Sequence, residues 1–386
     1  MTIMRSMPFP DQHIGEEFAI YLETIFPAAF QVDKNVIKRG LFKLHYDKYR
    51  FISKLEYEGK EENLDQTLLD FNHFRNQKVA REEDFILFSQ LPLKGCFESE
   101  HFVLFPITEP NVTPKNFFGD WPFAVRVKFE GSPIEALNTH RIRFIQYEIR
   151  FLLNALIRDS LKFYPEFDRQ EWTLSFPEIG KPIPEYRRIG YSLIEEPSIP
   201  QIGEVPLVPY EDYYNQIGLR LEEWEFKLPS NFLDLVNAYY ALSSGNKERF
   251  IRASYWVNIA HFVYLNSRSL YYQSLVNALE SLVPPEVVEQ NCSECGKKFY
   301  SSRSSDIRKM LKENANWLTN KEFSEIWSIR SKIAHGARLQ PSDEAPGYFR
   351  FDPVSNSSRR EEWKLSRILK IILVNWLMNN SKNSLA

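Results

Sequence analysis

Three cysteines in 386 residues exclude a disulfide framework as the source of stability. Long apolar runs are missing too. The longest near the end, residues 368–378, is interrupted by Lys370 and Asn375 and is too short to span a bilayer. Residues 1–13 are polar and proline-broken, unlike a secretory leader. There is no internal repeat or low-complexity tract. No carboxylate–histidine cluster stands at metal-ligand spacing, which speaks against a conventional metal-dependent hydrolase. A net charge of only −3 argues against a chain coated with nucleic acid. Taken together, these absences lead to the expectation of a cytoplasmic protein with no membrane partner.

What the chain has in quantity is aromatic side chains, 30 Phe and 19 Tyr, enough for two domains with sizeable cores. Before Phe226 strand-like runs dominate, at 42–57, 85–91, 102–107, 123–129, 172–176 and 189–194. Phe123-Ala124-Val125-Arg126-Val127-Lys128-Phe129 alternates as a half-buried strand does. Helices are expected at 16–26 and within 133–164, although 142–151 also alternates like a strand. Six prolines between 178 and 209 mark an extended connector, and an acidic stretch, 210–225, follows it. After Phe226 the apolar spacing becomes helical, with helices expected at 230–243, 247–264, 267–282, 304–314, 321–335 and 361–380. The expected fold class is therefore α+β. Residues 1–225 would form a β-rich mixed domain and residues 226–386 an all-α, up-and-down bundle.

One stretch carries chemistry: Ile329-Arg330-Ser331-Lys332-Ile333-Ala334-His335-Gly336. Arg330 offers a permanent planar cation that matches phosphate oxygens, and five residues on His335 offers a group that exchanges protons near neutral pH. That pair suits metal-free cleavage of a phosphodiester. An Arg followed five to seven residues later by a His is a weak pattern alone, since Arg39 and His45 satisfy it as well, beside a strand-like run. Context favours the later copy. Phe323, Ile326, Trp327, Ile329, Arg330 and Ile333 recur at helical steps, and Gly336 stands where a helix would end in a left-handed glycine. The surrounding segment 297–338 holds ten cations against four anions, a local balance of +6. Arg303, Arg308, Lys309, Lys312 and Arg338 are its candidate phosphate-binding residues. Cys292 and Cys295 are either half of a tetrahedral zinc site or two free thiols.

Four pieces of the chain together resemble the HEPN superfamily, and within it the ApeA-like branch of bacterial anti-phage and abortive-infection proteins. They are Leu228-Pro229-Ser230-Asn231-Phe232, the Arg-Phe-Ile-Arg-Ala-Ser run from Arg249 to Ser254, Asn277-Ala278-Leu279-Glu280-Ser281-Leu282, and the stretch from Arg330 to Gly336. The resemblance runs from Leu228 onward and leaves the N-terminal part untouched. It implies a ribonuclease that needs no cofactor for catalysis, with Arg330 and His335 catalytic and Glu280 orienting Arg330. Ser331 takes the place often held by a polar residue such as Asn, and Lys332 would attract the RNA backbone. It also implies a homodimer in which two Arg-His pairs meet, and a structural zinc at Cys292 and Cys295. Glu280 has a plainer reading as a helix-edge acid reaching solvent, and the whole domain as a non-catalytic module binding RNA or a protein. The N-terminal part would sense an unknown trigger.

Overall fold

The computed structural model describes residues 2–6, 12–48, 52–107, 121–158, 160–163, 169–175, 183–189, 199, 202–215, 225–264, 266–284, 289–291, 298–300, 303–340, 343 and 353–382. An antiparallel sheet region is followed by a helical one, so the fold is α+β. The chain divides into two compact units, Met1–Glu83 with Arg126–Tyr147, and Asp84–Val125 with Glu148–Ala386.

The first unit is built on a five-stranded antiparallel sheet of β1 (Thr2–Ser6), β2 (Ala29–Asp33), β3 (Val36–Arg39), β4 (Phe42–Tyr46) and β5 (Ile52–Glu58), in the order β1-β5-β4-β3-β2. Helices α1 (Gln12–Ile25) and α2 (Glu61–Asn76) supply its aromatic core, where Phe18 and Phe71 meet Phe42, Leu44, Leu55 and Tyr57 from the sheet. The first part of α3 (Glu135–Leu156) joins them through Glu17, which is nearly enclosed and accepts from Arg75 at 2.9 Å and from Arg141 at 2.6 Å. Two guanidinium partners make burial of that carboxylate tolerable.

In the second unit, β7 (Phe97–Glu98) and β8 (Phe102–Pro106) belong to a four-stranded sheet with β6 (Val79–Ser89) and β9 (Trp121–Gly131), in the order β6-β9-β8-β7. Two more pairs follow, the hairpin β10 (Arg169–Ser175) and β11 (Ile183–Ile189), and β12 (Leu207–Val208) parallel to β13 (Leu228–Pro229), with α4 (Tyr210–Asn215) between the latter two. The helices are α5 (Phe232–Tyr240), α6 (Ser244–Val263), α7 (Arg268–Ser281), α8 (Arg303–Asn314), α9 (Asn320–Ala334) and α10 (Pro353–Lys382), and β14 (Glu289–Asn291) pairs with β15 (Lys298–Tyr300) before α8. The central element is α10. Leu365, Ile368, Leu369, Ile372, Leu373, Val374, Trp376 and Leu377 are all buried, more faces than one amphipathic stripe covers. It packs on α4, α5, α6, α7 and α8. Among the described residues no helix is long and apolar enough to cross a membrane.

All six expected C-terminal helices form, with ends shifted by a few residues except for α10, which starts at Pro353. The alternating stretch 142–151 is helix, inside the 22-residue α3. The run 42–57 is two strands, β4 and β5, turned back on each other. Beyond Ile189 the strand expected over 189–194 lies outside the described residues, and β11 forms within the stretch expected as a connector. The second unit also takes in residues 84–125 and 148–225, which were expected to belong with the N-terminal half. The reason is physical. Phe97 packs edge-on against Phe232, Phe123 lies against Phe226, and Tyr239 donates to Glu148 at 2.8 Å. Deeper still, the Lys370 ammonium of α10 donates to the carbonyls of Asn154 and, at 2.8 Å, Ile157 at the end of α3.

A fragment covering only 226–386 would strand Lys370 without those carbonyls and expose Phe226 and Phe232. It is expected to lack cooperative thermal unfolding and near-ultraviolet circular dichroism; a sharp native-like melt would refute that. Acid should loosen the full chain for a related reason. The His261 Nδ1 is enclosed without a hydrogen-bond partner. Burial first, then the Lys370 charge, pushes this imidazole down to about 3. The folded state thus refuses a proton that the unfolded chain accepts below about 6.5. Stability is complete above that value and falls as pH drops through it, by about 1 kcal/mol from this group at pH 5.5. Urea midpoints between pH 7.5 and 5.5 should show the decline, and His261→Gln should flatten it.

Candidate active site

The Arg-His stretch occupies the end of α9, whose start is fixed by a capping box. Thr319 Oγ1 accepts from the Glu322 N–H at 3.2 Å, and the Glu322 carboxylate accepts from the Thr319 N–H at 2.9 Å. From that start Phe323, Trp327 and Arg330 fall along one face, at steps of four and three. Phe323 is buried, and the rings of Phe323 and Trp327 stack at 5.8 Å.

Arg330 carries that face to α7. Its Nη2 lies 3.0 Å from Glu280 Oε1, with the side chains 24% and 20% exposed. Its guanidinium also stands 5.3 Å from the Trp327 ring centroid, within cation–π range. This is a half-enclosed ion pair, so water screens it less than a surface pair, and losing either partner strands a charge. Glu280 thus faces Arg330 across a half-enclosed pair.

The helix then ends as the sequence anticipates. His335 is the C-cap, with φ −91° and ψ 6°, and Gly336 takes φ +66°. The N–H groups of His335, Gly336 and Ala337 donate to the carbonyls of Ser331 (3.0 Å), Ile333 (3.0 Å) and Lys332 (2.8 Å), closing the last turn. Nothing lies within 4 Å of where a Cβ on Gly336 would stand, so conformation alone calls for glycine there. Lys332 and His335 are exposed and Ser331 is half-buried. At about 100° per residue, five steps separate Arg330 from His335 by about 140° around the helix. The two do not share a face within one chain.

The segment beyond is strapped back onto α7. The Gln340 N–H donates to Ser269 Oγ at 2.7 Å. The Asp343 carboxylate accepts from the N–H of Arg268 (2.8 Å), the N–H of Ser269 (2.7 Å) and the Ser267 hydroxyl (2.8 Å). Burial alone would raise the Asp343 carboxyl, but these donors at a helix N-terminus outweigh it and hold it below its ordinary value. Thus α7 holds the Arg-His stretch and the segment after it twice, through Glu280 near its end and through its first turn. No sequence signal marks Asp343, which caps a helix more than seventy residues upstream.

The basic residues are dispersed. Arg303 opens α8. Arg308 lies with its guanidinium 4.8 Å from the Phe323 ring centroid, and Lys312 is exposed. Lys309 lines a cavity of about 340 Å³ with Arg249, Asp306, Glu313 and Trp376. Arg338 is exposed and acts on Glu361 instead. Cys292 and Cys295 lie outside the described residues. Among the described residues, no three His, Cys, Asp or Glu side chains gather as a metal site would. The rival spacing is spent on structure: Arg39 pairs with Glu23 at 3.2 Å, and His45 Nε2 with Glu56 at 3.0 Å.

No family model, curated protein or solved structure matches the chain.

Gly336→Ala should cost about 1 kcal/mol, the price of a left-handed residue with a Cβ. Urea denaturation checks it, and Gly336→Asn should recover part of the loss.

Proposed function

We propose that the chain is a metal-independent endoribonuclease of the HEPN type, acting in the cytoplasm in anti-phage defence or abortive infection. The observation that supports this best is the guanidinium of Arg330, held by Glu280 beside a helix end that presents His335 to solvent. RNA brings its own nucleophile, the 2′-hydroxyl. The enzyme needs only to take that proton, give one to the departing 5′-oxygen, and stabilise the charge gathering on the phosphorane. His335 would exchange the protons, worth about 10²–10⁴-fold. The Arg330 fork would meet the equatorial oxygens with the N–H groups that Glu280 does not use. Lys332 would draw the backbone toward the helix end, and Ser331 would line it. The products are a 2′,3′-cyclic phosphate and a 5′-hydroxyl.

One imidazole cannot serve both faces of an in-line displacement. The offset between Arg330 and His335 on α9 likewise supports a site completed by a second copy, so the working form is a homodimer. The N-terminal β-rich part would sense a trigger.

The same ion pair favours a second reading. A guanidinium already neutralised by Glu280 serves packing well, and a non-catalytic HEPN module that binds RNA or a protein partner would need no more.

The deciding experiment incubates purified full-length protein with a pool of transfer and messenger RNA in EDTA. Wild type is expected to cut, leaving cyclic phosphate ends, and His335→Ala is expected to lose at least a hundredfold in rate while keeping fold and oligomeric state. Equal cutting by both would remove His335 from the chemistry, and no cutting by either would favour the binding module.

A further inference from the structure

A second cavity lies between α4, α10 and the turn that joins the basic helix α8 to the catalytic helix α9. It measures about 450 Å³ and is lined by Tyr210, Tyr214, Trp317, Glu211, Arg367 and Asn375, with Ile371 behind them. That volume falls within the range of small-ligand sites.

Its walls are fixed before anything enters. Tyr210 donates to Asn375 Oδ1 at 2.9 Å, and Asn375 Nδ2 donates to the Asn314 carbonyl at the end of α8, at 2.8 Å. The Tyr214 hydroxyl donates to the Leu156 carbonyl at 2.5 Å, and the Tyr210 and Tyr214 rings pack edge to face at 5.3 Å. Both hydroxyls are therefore committed to the protein, and what the tyrosines offer the cavity is ring surface. Trp317 differs from them. Its side chain is 48% exposed at the mouth, where an indole of that size is costly to leave in water unless something covers it. Arg367 supplies a guanidinium and Glu211 a carboxylate among these rings.

An exposed indole, fixed aromatic walls, one cation and one hydrogen-bond acceptor match one ligand chemistry well. A nucleobase stacks on aromatic faces whatever its sequence, its amino edge donates to a carboxylate, and its phosphate meets an arginine. We propose that this cavity binds one nucleotide, with its base against Trp317, its amino edge toward Glu211 and its phosphate toward Arg367. The inference rests on the nuclease reading for its preferred source, an RNA strand. That strand would be gripped at the α8–α9 turn while its scissile bond lies at the far end of α9.

The test is equilibrium binding to the full chain carrying His335→Ala, so that nothing is cut. A fluorescein-labelled single-stranded ten-nucleotide RNA is followed by anisotropy and, separately, AMP by calorimetry. Adding Trp317→Ala is expected to weaken RNA binding about ten- to hundredfold, the range for losing one stacked base, and Trp317→Phe to restore most of it. Because Trp317 is half exposed, an unchanged thermal melt is expected for both. Trp317-dependent binding of the RNA alone assigns an RNA strand, and the same dependence for AMP assigns a free nucleotide. Binding that ignores Trp317, or no binding of either probe, overturns the proposal. Cleavage is scored apart with His335 in place. RNA cut with unaltered KM by Trp317→Ala sinks the cavity and spares the nuclease, whereas Trp317-dependent binding without cleavage does the reverse.

Discussion

The helical unit depends on a lysine ammonium placed where water scarcely reaches it. Lys370 is 6% exposed, among the buried Leu365, Ile368, Leu369, Ile372 and Leu373 of α10, and burying such a charge costs several kcal/mol unless its protons are taken up. They go to the carbonyls of Asn154 and Ile157, at a helix C-terminus whose dipole favours a cation. The Asn154 side chain extends the arrangement, accepting from the Leu161 N–H and donating to the Leu161 carbonyl and to Asn258 on α6. One charge thus ties α3, α6 and α10 together and, after burial itself, adds to the depression of His261. With α10 fixed, α7 has a floor to pack on, and α9 is held in turn by α7.

Much of this could be read from the sequence, and the reasons differ by element. The C-terminal helices were legible because each carries an apolar period and good punctuation, such as Ser243 at an N-cap and Gly336 at a C-terminus. By contrast, α2 escaped notice: only Leu64 and Phe71 of its sixteen residues are buried, too sparse a stripe to announce a helix. The alternation in 142–151 misled because partly apolar positions on a long, wide-faced helix can mimic period two over a short window. Lys370, which is buried, and Asn375, which is half-buried, interrupt an otherwise apolar run and turn out to be its anchoring points. Pattern reading could count them as polar but could not find their partners, which lie 216 and 165 residues away for Asn154 and Tyr210.

The same limit separates the two halves of the candidate site. The helix, its glycine stop and the placing of Arg330 and Glu280 on adjoining helices follow from local spacing plus a resemblance. The Asp343 strap does not, because a carboxylate that caps a distant helix looks in sequence like any loop acid. Yet the strap has the larger mechanical consequence. A helix end leaving through one left-handed residue would fray, and its last side chains would sample many directions. Three hydrogen bonds accepted by the Asp343 carboxylate and one accepted by Ser269 Oγ from the Gln340 N–H shorten that freedom to a few residues.

Glu280 bears on function in two opposed ways, and their balance decides what the site is. As a partner it fixes the guanidinium plane and removes most of the rotamer entropy that a free arginine would lose on meeting a phosphate. As a charge it cancels part of the attraction that Arg330 would exert on a polyanion. The attraction falls with distance and is screened in solution, whereas the orientation is kept at all ionic strengths. On the nuclease reading, a site built on Arg330 would gain in geometry what it gives up in steering, and steering would fall to exposed cations such as Lys332 and Arg338. His335 is exposed and stands about 140° around the helix from Arg330. On the homodimer reading, two copies related by a twofold axis would present an arginine and a histidine from each side of a shared cleft.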